Sequence, residues 1–216
     1  MGNLFILSAP SGTGKSTVAS KLLERLEGLR RVITATTREP RPGERDGVDY
    51  YFMKKDDFER GIRGGYFLEW AEVYGNYYGT PREQVDKNIK EGYDSLLVID
   101  VQGAFKVKEI MPRSVGIFLL PPSMEELKRR MKRRGYSDKN TSLRLETAKK
   151  EIPCAPNFDY IVVNDFIDHA VDQIRSIIIS LRCKKENALE DLRISSAVSK
   201  DILELMEGGG CYGKKT

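Results

Sequence analysis

The hydrophobic residues of this chain follow two alternating patterns. Continuous apolar runs, typical of strands buried on both faces, occupy residues 4–7, 95–99, 115–120 and 160–164, and a run rich in β-branched residues occupies residues 31–36. Apolar residues at helical spacing occupy residues 17–26, 81–91, 102–110, 124–133, 141–152 and 167–181. Because strands and helices alternate, the pattern predicts an α/β fold in which helices flank a parallel sheet.

The middle of the chain interrupts this alternation with a β-rich insert at about residues 34–80. Its pattern predicts, in chain order, a loop, a short strand, a short helix and another strand, at residues 37–50, 50–52, 56–63 and 66–70. Thr80 precedes Pro81 and is expected to cap the helix that follows. At the far end of the chain, residues 188–207 predict one more helix, and residues 208–216 are expected to be flexible.

Composition limits the classes of function. The chain has 216 residues, of which 40% are hydrophobic and 31% charged, and a formal net charge of +4. These values are typical of a globular protein, and the mild positive charge suits phosphorylated small molecules better than nucleic acid. No apolar run is long enough to span a membrane and no secretory signal precedes the first strand, so we expect a cytoplasmic protein without a membrane partner.

Cysteine and histidine usage argues against several chemistries. Cys154, Cys183 and Cys211 are widely spaced and odd in number, which fits neither a disulfide framework nor a zinc site. His169, the only histidine, lies in a helical pattern away from the other candidate residues. We therefore expect reduced thiols and no imidazole chemistry.

The most specific motif lies between the first apolar run and the first helix. It reads Ala9-Pro10-Ser11-Gly12-Thr13-Gly14-Lys15-Ser16, a phosphate-binding loop with alanine in place of the usual first glycine. The two glycines let successive N–H groups point into one concave nest, and the following helix adds the positive end of its dipole. Lys15 would bring a charge to the β and γ phosphates, and the Ser16 hydroxyl would ligate Mg²⁺.

A second group of candidates lies in the insert. Two guanidinium groups and two phenols, those of Arg38, Arg41, Tyr50 and Tyr78, would bind a second phosphate if the fold brings them together. Glu69, Thr34 and Thr80 would be the polar groups beside a base. Taken singly, each of these residues also fits a surface charge or a packing role, and spacing alone leaves both interpretations open.

Longer blocks of sequence favour the binding interpretation over a surface or packing role for these residues. These blocks are Thr34–Glu44, Asp46–Tyr50, Gly75–Pro81, Ile99–Gly103 and Val162–Asp165. Together with the phosphate-binding loop they resemble the guanylate kinase family, in register over about residues 3–182. The resemblance implies a P-loop kinase that converts ATP and GMP to ADP and GDP with Mg²⁺. It also implies a core of residues 1–33 and 81–183, a GMP-binding insert of about residues 34–80 and a mobile helical lid of about residues 134–150.

The resemblance also assigns roles to single residues. The GMP-binding positions, which would also take dGMP, are Thr34, Arg38, Arg41, Tyr50, Glu69, Tyr78, Thr80 and Asp100. The ATP-binding positions are Ala9, Pro10, Ser11, Gly12, Thr13, Gly14, Lys15, Ser16, Thr17, Arg134 and Asn164. The catalytic positions are Lys15, Arg134 and Arg144, and the metal positions are Ser16 and Asp100. A carboxylate at Glu69 suits guanine, because N1–H and N2–H₂ are adjacent donors, whereas N1 of adenine is an acceptor.

The chain departs from the family pattern in three places. Val98 stands where the family usually has an acidic residue, so one polar contact near the site is expected to be missing. The lid segment 135–141 is about one residue shorter and less acidic than usual. The correspondence of Arg144, which follows this segment, to a lid arginine of the family is therefore weaker than that of Arg134, which precedes it. Residues 184–216 match no part of the resemblance, and we assign them no function.

Other functions fit parts of the pattern less well. A monophosphate kinase for another base would need Glu69 to read a different base edge. A phosphopeptide-binding module of the same family would use the same Arg/Tyr cluster, but its phosphate loop is typically damaged, and here the loop is intact. A GTPase would explain Asp100-Val101-Gln102-Gly103, yet no Asn-Lys-x-Asp motif exists in the sequence. The basic stretch 128–134 is expected to be a solvated helix face rather than an RNA site, and the protein a monomer or weak homo-oligomer.

Overall fold

The computed structural model describes residues 2–135 and 137–184. Its strands are β1 (Leu4–Ser8), β2 (Leu29–Arg31), β3 (Ala35–Thr36), β4 (Tyr51–Phe52), β5 (Phe67–Val73), β6 (Asn76–Pro81), β7 (Asp94–Val98), β8 (Val115–Leu120) and β9 (Tyr160–Val163). Its helices are α1 (Lys15–Arg25), α2 (Lys55–Arg63), α3 (Arg82–Lys90), α4 (Val101–Ile110), α5 (Met124–Arg133), α6 (Asp138–Glu151) and α7 (Ile167–Arg182). A 3-10 helix, Ile152–Asn157, joins α6 to β9.

The core sheet is parallel and has helices on both faces. Its strand order is β2-β7-β1-β8-β9, with β1 in the centre. Alternate residues of β1 point to opposite faces. Phe5 therefore joins a buried cluster with Leu22 of α1 and Ile174 of α7, and Ile6 joins another with Val85 of α3. The predicted α/β class with a parallel sheet flanked by helices is confirmed.

The insert forms a second sheet with the order β4-β3-β6-β5. Phe58 of α2 packs on it, with its ring stacked 4.3 Å from that of Phe67. Gly79 of β6 lies under both rings, and a Cβ there would come within 2.7 Å of the Phe67 ring. This sheet therefore has its own small apolar centre, separate from the clusters of the core sheet. The domain boundaries themselves stay a prediction.

The strand predicted at residues 31–36 is wrong, because the chain leaves one sheet and enters the other there. β2 ends at Arg31 in the core sheet, and β3 begins at Ala35 in the second sheet. At the crossing, the side-chain amide of Gln84 accepts from the Ile33 N–H (3.0 Å) and donates to the Ile33 carbonyl (3.2 Å). A β-branched run predicts extended backbone but does not reveal that two sheets share it.

Two helix starts also differ from the prediction. Thr80 does not cap α3, which begins at Arg82, because the Thr80 hydroxyl donates to Glu69 instead. α6 begins at Asp138 rather than residue 141, and its cap is Ser137, whose hydroxyl accepts from the Asn140 N–H. The predicted helix at residues 188–207 and the flexible end lie outside the described residues. Among the described helices, none combines the length and apolar character that crossing a bilayer requires.

Candidate active site

A cleft between the two sheets, at the carboxyl ends of β1 and β7, collects most of the candidate residues. Strand ends and helix N-termini converge at this edge of a parallel sheet, which makes it the usual place for ligands. The lining residues are Ala9, Pro10, Ser11, Gly12, Gly14, Lys15, Ser16, Thr34, Arg38, Arg41, Tyr50, Glu69, Val73, Tyr74, Asn76, Tyr78, Val98, Ile99, Asp100, Arg134, Arg144 and Glu151. They come from the core, from the second sheet and from the segment around α6.

The phosphate-binding loop has the geometry of an anion nest. Gly12 and Gly14 have φ angles of 90° and 103°, a region that favours glycine, and Gly14 directly precedes α1. No side chain in the described part of the chain caps this helix, and its first turn carries no acidic residue. Its first N–H groups are therefore available to an anion.

Asn164 supports this loop from behind. Its side chain is fully buried, and its amide donates to the Thr13 carbonyl at 2.7 Å. A Cβ at position 14 would lie 2.6 Å from the Asn164 amide nitrogen. Glycine at position 14 is thus required by both its backbone angle and its neighbour.

Lys15 and Asp100 face each other across the loop and the end of β7. The Lys15 ammonium donates to the Ile99 carbonyl at 2.7 Å. Burial lowers the pKa of Lys15, while the charges of Asp100 and Glu151 act in the opposite direction. Asp100 caps α4, because its Oδ1 accepts from the N–H groups of Gln102 (2.7 Å) and Gly103 (3.1 Å).

The predicted metal positions offer oxygen donors. Ser16 lies exposed in the first turn of α1, and Asp100 lines the same cleft. Among the described residues, His, Cys, Asp and Glu do not gather in groups of three that could hold a metal. This sparse donor set fits Mg²⁺, which keeps several waters and binds through one or two protein oxygens together with substrate phosphates.

The predicted binding group for the second phosphate is assembled around Glu44. Its carboxylate accepts two hydrogen bonds from one guanidinium nitrogen of Arg38 (3.0 and 2.9 Å) and one from the Arg41 backbone N–H (2.7 Å). The Arg38 guanidinium lies 5.3 Å from the ring centre of Tyr50, and the rings of Tyr50 and Tyr78 are 6.1 Å apart. Burial raises the pKa of Tyr50, so its phenol remains a hydrogen-bond donor.

Glu69 is the buried acid of the second sheet. It is 6% exposed and accepts a hydrogen bond from the Thr80 hydroxyl at 2.6 Å. Burial raises its pKa to about 7, although the Thr80 bond acts in the opposite direction. Gly103 of α4 approaches closely, since a Cβ there would lie 2.8 Å from Glu69 Oε2. The carboxyl group is therefore confined in position, and its protonated and ionised forms both occur near pH 7.

Arg144 of α6 reaches across the cleft. Its guanidinium donates to the Ser11 hydroxyl at 2.6 Å and lies 4.6 Å from the ring centre of Tyr74, at the β5–β6 turn. Arg134, at the end of α5, also lines the cleft but is exposed. Both predicted lid arginines thus border the region between the two phosphate-binding groups.

Four of the predicted binding residues do not line the cleft. Thr13 and Asn164 are buried behind the loop, Thr80 lies beyond Glu69, and Thr17 is on the exposed side of α1. The first three support residues that do line it, and their direct contact with substrate stays a prediction. Val98 lines the cleft with an apolar side chain, and the loss of a polar contact there stays a prediction.

Several lining residues were not predicted from the sequence: Val73, Tyr74, Asn76, Ile99 and Glu151. Tyr74 and Asn76 flank the hairpin turn that leads to Tyr78, so proximity in sequence could have indicated them. Glu151 follows Arg144 by seven positions, nearly two helical turns, and so lies on the same helix face. That spacing was the available signal for Glu151.

Fold and site together define a P-loop α/β protein in which one cleft is lined by the phosphate-binding loop motif and, apart from it, by a cluster of Arg and Tyr side chains. The model of the family described as guanylate kinase matches residues 1–181. The chain belongs to the guanylate kinase family.

Individual relatives agree with the family match. The chain is 50% identical to a guanylate kinase of Oceanobacillus iheyensis over 209 residues, covering 96% of this chain and 97% of that protein. It is 49% identical to one of Caldanaerobacter subterraneus subsp. tengcongensis over 184 residues, covering 85% and 89%. A crystal structure of guanylate kinase from Anaplasma phagocytophilum matches with a TM-score of 0.73 and 41% identity, covering 85% of this chain and 88% of that one.

The Oceanobacillus match extends beyond the resemblance described from the sequence, which covers about residues 3–182. Residues 184–216 match no part of that resemblance. An alignment that covers 96% of the chain must include most of them, so at least one relative carries a comparable extension. The match assigns no function to this segment.

Proposed function

We propose that the protein transfers the γ-phosphoryl group of ATP to GMP, and also to dGMP, giving ADP and the nucleoside diphosphate. The observation that carries the proposal is the single cleft with an anion nest on one side, a cluster of Arg and Tyr on the other, and a buried carboxyl group at the base end. Membership of the guanylate kinase family supports the same activity. The intact loop argues against a silent binding module.

On the acceptor side, Arg38, Arg41, Tyr50 and Tyr78 would hold the GMP phosphate. Guanidinium groups bind phosphate through paired hydrogen bonds, and the protonated phenols add donors. Glu44 already fixes Arg38 and the backbone of Arg41, so this cluster is organised before GMP arrives. Glu69 would accept hydrogen bonds from guanine N1–H and N2–H₂, and Thr34 would reach the base edge.

On the donor side, the N–H groups of the loop and the Lys15 ammonium would hold the β and γ phosphates. Ser16 and Asp100 would hold Mg²⁺, which when bound to ATP neutralises charge on the β and γ oxygens. Lys15 and Ile99 line the same cleft as the loop, so a bound phosphate oxygen would replace the Ile99 carbonyl as the acceptor for the Lys15 ammonium. The loop therefore offers a formed site rather than one that must fold around ATP.

The chemical step needs no general base. An oxygen of the GMP phosphate is already anionic and attacks the γ-phosphorus, the bond from that phosphorus to the β–γ bridging oxygen breaks, and ADP leaves with the bond electrons. Lys15, Arg134 and Arg144 would stabilise the charge on the transferred group. Catalysis then depends on in-line positioning and on exclusion of water, which would otherwise accept the phosphoryl group.

The test is an ADP-release assay with Mg-ATP and, separately, GMP, dGMP, AMP, UMP and dTMP. We expect turnover with GMP and dGMP to exceed turnover with the other nucleotides by at least about a thousandfold in kcat/KM, since a mispaired carboxylate discriminates strongly. The Lys15→Ala variant is the control for contaminating kinases. Binding of GMP without GMP-dependent turnover would instead favour a binding module.

We also propose that the enzyme works in the cytoplasm, where ATP and GMP occur, as a monomer or weak homo-oligomer without a nucleic-acid partner. A net charge of +4 is too mild to indicate nucleic-acid binding. Light scattering during size-exclusion chromatography, at two protein concentrations, measures the oligomeric state. A stable assembly of higher order at both concentrations would contradict the proposal.

A further inference from the structure

Glu151, the last residue of α6, has no role in the reaction described above, yet its side chain lies in the cleft. It lines the same space as Lys15, Asp100 and Arg144. Directly after it, the 3-10 helix anchors the chain, because Ala155 packs in a buried cluster with Phe118 of the core sheet. Glu151 therefore stands at the point where α6 is fixed to the core.

The charges that face Glu151 come from three elements. Lys15 of the phosphate-binding loop and Arg144 of α6 attract its carboxylate, and Asp100 at the end of β7 repels it. Burial is the largest influence and raises its pKa to about 7. Its Oε2 atom is shielded from solvent and has no hydrogen-bond partner among the described residues. A buried carboxylate oxygen without a partner destabilises a fold, so packing alone does not account for an acid here.

The two cations beside Glu151 are those that the proposed reaction needs over the transferred phosphoryl group. Arg144 already bonds Ser11 of the loop, and Lys15 is in the same loop. The Glu151 carboxylate, at the fixed end of α6, lines the same cleft as both cations and attracts each of them. Removing its charge would leave Asp100 as the remaining acid among the charges named above.

We propose that Glu151 is a positioning residue: its carboxylate holds Lys15 and Arg144 in place and so ties α6 to the phosphate-binding loop. The inference rests on the proposed function only in so far as Lys15 and Arg144 act on the transferred group. The tie itself is a property of the protein without substrates, and it can be measured without turnover.

The test compares Glu151→Gln, which removes the charge and keeps the shape, with Glu146→Gln as a matched control. Glu146 is on the same helix, but its carboxylate is 64% exposed and pairs with Lys149 at 2.7 Å, outside the cleft. In the protein without nucleotide, amide hydrogen exchange in α6 is expected to become about tenfold faster in Glu151→Gln and to stay unchanged in Glu146→Gln. Equal exchange in the two variants would overturn the proposal.

Kinetics give a second, independent readout. Glu151→Gln is expected to lower kcat about tenfold with KM for GMP within about twofold, because misplaced cations weaken the transition state and leave GMP binding intact. Glu151→Asp, which keeps the charge, is expected to recover part of the loss. A kcat equal to that of Glu146→Gln would overturn the proposal. A rise in KM for GMP as large as the loss in kcat would overturn it as well. If Glu151→Gln does not fold, Glu151→Asp is compared with Glu146→Asp by the same two measurements. Equal hydrogen exchange in α6 and equal kcat in these two variants would overturn the proposal.

Discussion

Glu69 is a buried carboxyl group whose surroundings fix its position. Its carboxyl group is held by the Thr80 hydroxyl on one side and confined by Gly103 on the other. Guanine would bring two donors to it, and adenine would bring an acceptor at N1. Because the group cannot move away, a wrong base leaves polar atoms unpaired in a buried place.

Replacing Glu69 is therefore expected to change selectivity rather than the chemical step. In Glu69→Gln, the side-chain NH₂ faces a guanine donor, and kcat/KM for GMP should fall at least about a hundredfold, with a smaller change for AMP. Steady-state kinetics with both nucleotides measure this. Lys15→Ala is the matched variant: it should lower kcat while leaving the Kd for GMP within about twofold. Equal loss of GMP affinity in both variants would contradict this division of roles.

The raised pKa of Glu69 also makes stability depend on pH. The carboxyl group titrates at about 7 in the folded protein and at about 4.5 when unfolded, so the folded state binds more protons between these values. Its contribution to stability is complete below about pH 4.5 and is lost as the pH rises through 7, by up to about 3 kcal/mol.

Urea unfolding at pH 5 and pH 8 measures this loss. The free energy of unfolding of Glu69→Gln should fall less between the two pH values than that of the unchanged protein, because glutamine does not titrate. Glu72→Gln on the same strand is an exposed control and should retain the full pH dependence. Parallel pH profiles for all three proteins would show that Glu69 does not titrate in this range.

At the scale of elements, the phosphate-binding loop depends on its fit against β9 as well as on its own motif. Asn164 follows β9 and holds the Thr13 carbonyl, and the space that it leaves at position 14 admits only a hydrogen atom. Support of this kind fixes the N–H groups of the nest before any anion is bound. The loop can then bind phosphate with little loss of conformational entropy.

A glycine-to-alanine pair tests this support. Gly14→Ala should weaken binding of a non-hydrolysable ATP analogue at least about tenfold and destabilise the fold by more than about 1 kcal/mol, since the φ angle and the contact with Asn164 both oppose a side chain. Gly92→Ala, at φ 82° with no neighbour within 4 Å, carries the backbone strain alone and should leave ATP binding unchanged. Calorimetric titration measures the affinity for the ATP analogue, and thermal unfolding measures the loss of stability. Comparable ATP binding in the two variants would argue against the role of Asn164.

Local patterns predicted most of these elements, and long-range contacts account for the failures. The loop, α1 and the strands of the core sheet other than β2 follow from sequence neighbours, and β8 is predicted to the residue. The Thr80 hydroxyl donates to Glu69 of the neighbouring strand instead of capping α3. A capping rule uses only sequence neighbours and therefore does not predict this bond. The role of Glu151 depends on charges from three elements, and a helical pattern shows only which face it occupies.

At the scale of the whole molecule, each of the two sheets supplies a different set of residues to the cleft. The parallel sheet supplies the loop and Asp100 at its carboxyl edge, and the second sheet supplies the Arg/Tyr cluster and Glu69. The chain crosses between the sheets at residues 32–34, and α4 packs against β5 of the second sheet. The distance between the phosphate-binding loop and the Arg/Tyr cluster is therefore set by the fold.

Arg144 touches both halves at once, through Ser11 on the core and Tyr74 on the second sheet. One side chain of α6 is therefore a cross-link between the phosphate-binding loop and the β5–β6 turn in the protein without nucleotide. A substitution at this single position removes a contact on both sides of the cleft at the same time.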